Sequence, residues 1–224
     1  MPTGTEDPVQ MASPADAAAW AAELIHSRRT QLPRRLAPPG PDASQQAEIL
    51  RAAAAAPDHG GLLPWRFIVV PEAARPRLAD AFAAALLARD AAASAEQLAQ
   101  VREKAFRSPW LLLAVARLHE ETGGAGPKVP PAERIVSAGC AIQNMLLMAH
   151  AQGFGAALTS GQSLNSAPLR TLFGLHDHEQ ALCFISVGAT ARPRPPRPCP
   201  CPCPVHYVTV LDADADAVRS HQKP

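Results

Sequence analysis

A strong charge of either sign is missing from this 224-residue chain. Lys and Arg number 21 against 20 Asp and Glu, for a formal net charge of +1 and a pI near 7.8, which gives no support for a nucleic-acid-binding surface. Long hydrophobic runs are missing too: none approaches the roughly 20 residues that span a bilayer, so no membrane partner is expected. Met1 to Gln10 lacks the apolar core of a secretion signal, which makes the cytoplasm the expected location. The five cysteines do not form the framework of a small secreted protein. No Gly-x-Gly-x-x-Gly follows a strand, and there is no Gly-x-x-x-x-Gly-Lys-Ser/Thr, so neither a dinucleotide fold nor a P-loop is signalled. Gly153-Phe154-Gly155 stands at the wrong end of a helix for such a fingerprint and reads as helix cap plus turn. The Gly-x-Ser-x-Gly elbow of serine hydrolases is absent as well.

What is present reads as one domain with a sizeable core, residues 13–210, between a disordered N-terminus (1–12) and a C-terminal tail (211–224). Ser13-Pro14-Ala15-Asp16 is a helix start, with Ser as N-cap and Pro at the first helical position, and the helix is expected to run to about Arg28 and to bury Trp20 and Leu24. Asp42 and Gln45 form a capping pair for a second helix that ends before Pro57. Trp65–Val70 and Trp110–Arg117 read as strands, and 73–89 and 95–107 as helices. A long apolar helix over about 132–152, capped by Gly153, carries small residues at 137–141 and is expected to be buried on nearly all sides. Asn165 or Ser166 caps a short helix ending near Gly174, and 180–189 is the last core strand. The interleaved elements indicate an α/β or α+β sandwich.

Two segments carry chemistry. Ala56-Pro57-Asp58-His59-Gly60-Gly61-Leu62-Leu63-Pro64-Trp65 joins a helix to a strand through a loop with one imidazole and one indole. Its proline stops the helix, Asp58 can bond freed backbone amides, and the glycines permit close approach of backbone to a flat ligand. Upstream, Arg28-Arg29-Thr30 offers two planar guanidinium forks and a hydroxyl, a set suited to a phosphate monoester. Each has a plainer alternative: a solvated turn for the first, a positively charged helix end for the second.

Together these segments, in order and spacing, resemble the nitroreductase family of FMN-dependent oxidoreductases, and within it the short YdjA-like subgroup of NAD(P)H nitroreductases. Further landmarks are Lys104-Ala-Phe-Arg107-Ser-Pro109, Ser137-Ala-Gly-Cys-Ala-Ile-Gln-Asn-Met145, Ala151-Gln-Gly-Phe-Gly155, Thr159-Ser160-Gly161 and Phe184-Ile-Ser-Val-Gly188. The resemblance implies a central, mostly antiparallel sheet covered by helices, in an intertwined homodimer. It implies FMN as cofactor, NADH or NADPH as hydride donor, and a small-molecule acceptor of nitroaromatic or quinone type, reduced by a ping-pong mechanism. Arg28, Arg29 and Thr30 would then hold the flavin phosphate, completed by Arg192 or Arg194 after the last strand. His59 and Leu63 would approach the ring, and Thr159, Ser160 and Gly161 would line it. No side chain is assigned as catalytic acid, base or nucleophile, because the cofactor supplies the redox chemistry.

Departures from the subgroup stand at the ring. Leu63 replaces a usual Gln, Gly60-Gly61 a usual Lys-Ser, and Leu158-Thr159 a usual Trp-Arg. They leave open a flavin-binding protein without turnover, or a flavin dehydrogenase with another substrate. Cys199-Pro-Cys201-Pro-Cys203-Pro, inside the proline-rich stretch 195–204, suggests a thiol module. Alternating prolines turn its thiols in different directions, and no metal is expected there.

Overall fold

The computed structural model describes residues 13–119, 129–190 and 204–211. Two compact units are distinguished, Met1–Arg192 and Pro193–Pro224. In the second, a single 3-10 turn, Pro204–His206, is described. The Cys-Pro repeat, Arg192 and Arg194 lie outside the described residues.

Capping chemistry sets the helix starts where the sequence places them. Ser13 accepts from the Asp16 amide while the Asp16 carboxylate accepts from the Ser13 amide, opening α1 (Pro14–Ser27). Asp42 and Gln45 make the same reciprocal pair before α2 (Ala43–Ala53). α3 (Arg75–Leu87) and α4 (Ala95–Glu103) follow, the latter tightening into a 3-10 turn, Lys104–Phe106. The long helix α5 spans Pro131–Ala151, and α6 (Ala167–Phe173) stops at left-handed Gly174. None of these helices is long and apolar enough to cross a membrane.

Five strands form one sheet: β1 (Leu36–Ala37), β2 (Trp65–Val69), β3 (Trp110–Arg117), β4 (Gly155–Thr159) and β5 (Glu179–Thr190). The order is β1-β5-β3-β2, β4 also pairs with β5, and every pairing is antiparallel. β3 is apolar from Trp110 to Ala116 because helices cover both of its faces. Leu112 and Ala114 pack with Ile185, Val187, Ile49 and Met145 in one core cluster, on the side of α2 and α5. Leu111, Leu113 and Val115 pack with Leu78, Leu169 and Phe184 in the other, on the side of α3 and α6. Ala114 faces Cys183 and Val115 faces Ala181, so Leu182 is the extra residue of a bulge. The bulge lets Ala181 and Phe184, three apart, reach the same face of the sheet.

The structure corrects three expectations. α1 buries nothing: Trp20 is 73% exposed and Leu24 only half-buried. Nor is α5 buried on nearly all sides, since Ala132, Ile135, Val136 and Gly139 form an exposed apolar stripe. Finally, Gly155 does not belong to a turn. It opens β4, a five-residue strand too short and alanine-rich to show a period in sequence, and β1, with two residues, is shorter still.

Candidate functional site

The end of α1 is tied to the end of α5 by a hydrogen bond between Ser27 Oγ and His150 Nε2 (2.8 Å). Beyond it the two adjacent arginines divide. Arg29 folds back, its Nη1 donating to the carbonyls of His26 (2.7 Å) and Arg28 (3.3 Å), and so takes the helix-end role. The guanidinium of Arg28, the C-cap residue, makes no hydrogen bond or ion pair with any described residue. Its charge, after burial, is the second cause that holds His150 below the usual imidazole pKa.

Thr30 then forms a parallel bridge to Ala156, and the Gln31 amide donates to the Ala156 carbonyl (2.9 Å). Thr30 and Gln31 are thereby laid beside β4. Gly155 permits this: a Cβ there would stand 2.4 Å from Thr190 Cγ2 and 2.9 Å from Gln31 Cγ.

β4 ends at Thr159, and Thr159, Ser160 and Gly161 border a cleft of about 540 Å³. Phe82, Leu111, Leu164 and Phe184 give it apolar surface, Ser186 a buried hydroxyl. Arg34, Arg89, Lys104 and Arg107 supply charge from a 3-10 turn (Pro33–Arg35), the end of α3 and the turn after α4. The structure thus ties Thr30 to Ala156 near the start of the strand whose far end carries Thr159. The sequence reading missed the cations around the cleft; Lys104 and Arg107 were legible only as landmarks, and no local pattern marks Arg34 or Arg89.

His59 and Leu63 do not line this cleft. His59 Nδ1 is hydrogen-bonded to Glu133 Oε1 (2.7 Å) in the first turn of α5, both side chains well exposed. Asp58 holds the loop as expected, accepting from the amides of Leu62 (3.0 Å) and Leu63 (2.7 Å). Those bonds keep Leu63 at φ 44°, a left-handed conformation unusual for a leucine. Asp58→Ala removes both acceptors, and an equilibrium urea titration is expected to show a loss of about 1–2 kcal/mol, as for a lost cap.

At the other end of β5 lies a feature without sequence signal. Arg66 and Glu179, 113 positions apart, form a two-pronged ion pair (Nε–Oε1 2.6 Å, Nη2–Oε2 2.8 Å). Glu179 is held at a pKa of about 2 by the Arg66 hydrogen bonds, against the opposing effect of burial and with help from the His176 amide. Cys183 is buried, its thiol pushed up to about 11 by desolvation. Among the described residues no group of three or more His, Cys, Asp and Glu is placed to hold a metal ion.

An antiparallel sheet covered on both faces, with Thr30 bridged to one strand and an apolar, cation-rimmed cleft at that strand's far end, defines an α+β domain. The sequence model of the Nitroreductase family matches residues 25–189. The Escherichia coli K12 protein named "Putative NAD(P)H nitroreductase YdjA" is 36% identical over 170 residues, 75% of this chain and 87% of its own length. A Haemophilus influenzae protein named "Putative NAD(P)H nitroreductase" is 33% identical over 168 residues, with the same coverage. Among solved structures, a nitroreductase-like family protein from Bacillus cereus superposes with a TM-score of 0.67 at 17% identity, covering 85% of this chain and 95% of that one. The FMN-dependent nitroreductase NfnB from Mycobacterium smegmatis, solved with NADPH, superposes at 0.58 and 20% identity, covering 79% and 90%. The chain belongs to the nitroreductase family, has its fold, and is an oxidoreductase of that kind.

Proposed function

We propose that this protein is an FMN-dependent NAD(P)H oxidoreductase that reduces a nitroaromatic- or quinone-like acceptor. The observation that carries the reading is the bridge from Thr30 to Ala156, which sets Thr30, directly after the two arginines, beside the strand whose far end borders the cleft. The residues fit the cofactor. The Arg28 guanidinium, with no bond to a described residue, and the Thr30 hydroxyl suit a phosphate monoester. Apolar surface from Phe82, Leu111 and Phe184 suits a fused aromatic ring, and hydroxyls at Thr159, Ser160 and Ser186 suit its polar edge. Arg192 and Arg194, outside the described residues, stay candidates for completing the clamp.

When bound, FMN supplies a two-electron relay between nicotinamide and acceptor. The chain's own residues do the holding. Arg28 and Thr30 fix the phosphate, Thr159–Gly161 bring backbone close to the ring, and the apolar side chains keep water from its face. A single candidate phosphate clamp, with no separate dinucleotide fingerprint in the sequence, supports ping-pong turnover, the two substrates using the same site in turn.

A homodimer is part of the proposal. The exposed Trp20 and Ile25 of α1 and the apolar stripe of α5 leave in one protomer surface of the kind that a second copy covers. His59 and Leu63, off their own cleft, are available to the cleft of that copy. The protein is expected to purify yellow, and anaerobic NADH or NADPH should bleach its flavin bands. Initial rates with a quinone acceptor should then give parallel double-reciprocal lines. Intersecting lines reject the ping-pong mechanism. Flavin that neither nucleotide bleaches makes the chain a flavin binder without turnover, with Leu63→Gln the first reversion to make.

A further inference from the structure

The cations around the cleft exceed what a flavin phosphate held at Arg28 requires. Arg28 itself does not line the cleft, whereas Arg34, Arg89, Lys104 and Arg107 do, and no carboxylate is among the described lining residues. Arg107 is neutralised by Glu103 (Nη2–Oε2 2.7 Å). The side chains of Arg34, Arg89 and Lys104 make no hydrogen bond or ion pair with any described residue. Three uncompensated cations from separate elements, gathered at an apolar cleft, repel one another and favour an anion among them. The aromatic character of such an anion comes from the nitroaromatic- or quinone-like acceptor already proposed, since Phe82 and Phe184 serve the flavin ring.

We propose that the cleft selects an electron acceptor bearing a negative charge, an aromatic carboxylate or sulfonate, whose anionic group is met by Arg89 and Lys104 with Arg34 contributing. The proposal rests on the oxidoreductase reading and names the substrate class of that same site. With a nitroarene carboxylate, the nitro group takes two electrons and two protons, supplied by one NAD(P)H and one solvent proton. It becomes a nitroso group with loss of water, and the carboxylate stays outside the reaction.

The test uses flavin-loaded enzyme and its Arg89→Gln/Lys104→Gln double variant, which removes both charges and keeps a polar side chain at both exposed positions. Specificity constants are measured for 4-nitrobenzoate and for its neutral methyl ester, with NADH and with NADPH, and binding of unreactive benzoate is measured by titration calorimetry. The ratio of kcat/KM for acid over ester is expected to fall roughly tenfold to a hundredfold in the variant, through KM, and benzoate affinity by a similar factor. An unchanged ratio overturns the proposal. So does a loss that follows NADPH against NADH whichever acceptor is used, which would make these cations readers of the dinucleotide phosphate. Loss of flavin from the variant overturns it as well, by placing them in the cofactor clamp. A wild type that reduces neither acceptor yet binds benzoate, with binding lost in the variant, rejects the oxidoreductase reading and leaves the selection of an aromatic anion standing.

Discussion

Arg66→Ala is expected to cost the fold about 3–5 kcal/mol, because it leaves a buried carboxylate without its counter-ion. Glu179 has a side chain only 3% exposed, and Arg66 grips both of its oxygens. Arg170 donates to the Glu179 carbonyl (3.1 Å) and the His176 amide to its carboxylate (3.2 Å), so the removed guanidinium is not simply replaced by water. The pH dependence has a definite sign. Glu179 is depressed from 4.5 to about 2, so it stabilises the fold above its unfolded pKa. That contribution, about 3 kcal/mol for the shift, is lost as pH falls from about 4.5 toward about 2. Urea unfolding across pH 2–7 should show the wild type weakening over that window and Arg66→Ala, already weakened at pH 7, changing less. Replacing both members with apolar residues of similar volume should recover much of the loss. A loss below about 1 kcal/mol at pH 7 would mean that solvent screens the pair as it does at a surface.

The pair also shows where sequence stops being informative. Helix starts at Ser13 and Asp42, the β3 run and the left-handed stop at Gly174 are local events, set by chemistry within a few residues, and they stand where the sequence puts them. Pairing of Arg66 with Glu179, or of Thr30 with Ala156, depends on strand register across more than 100 positions, for which no short-range pattern exists. β4 was illegible for a related reason: its strand character comes from pairing with β5, whereas Ala156-Ala157 is as compatible with helix as with strand. The burial expected of Trp20 failed because an apolar residue in a helical period says that a face will be covered, not by which chain. Within the site, the phosphate-type run and the Thr159–Gly161 border were legible through their resemblance to a family. The division of labour between Arg28 and Arg29 was not, since both are equally suited on paper and only the fold turns one back onto its own helix.

That division yields the sharpest expectation for the clamp. Arg28→Ala should release FMN, lowering its affinity roughly tenfold to a hundredfold, the effect of losing one or more charge-assisted hydrogen bonds to phosphate at about 1.5–3 kcal/mol. Arg28→Lys should restore only part, because an ammonium lacks the planar fork. Stability should barely move, since the guanidinium removed bonds to no described residue. The His150 imidazole, freed of a neighbouring positive charge, should titrate at a higher pH, though still below its usual value because burial is the larger cause. Arg29→Ala should behave the other way round. Its guanidinium serves the carbonyls at the end of α1, so melting temperature should fall while flavin affinity changes less. Flavin dissociation constants and thermal melts of the three variants decide the matter. If Arg28→Ala keeps wild-type affinity, this arginine is no more than a favourable charge at a helix terminus, and the phosphate must be held elsewhere, with the cations around the cleft the first place to look.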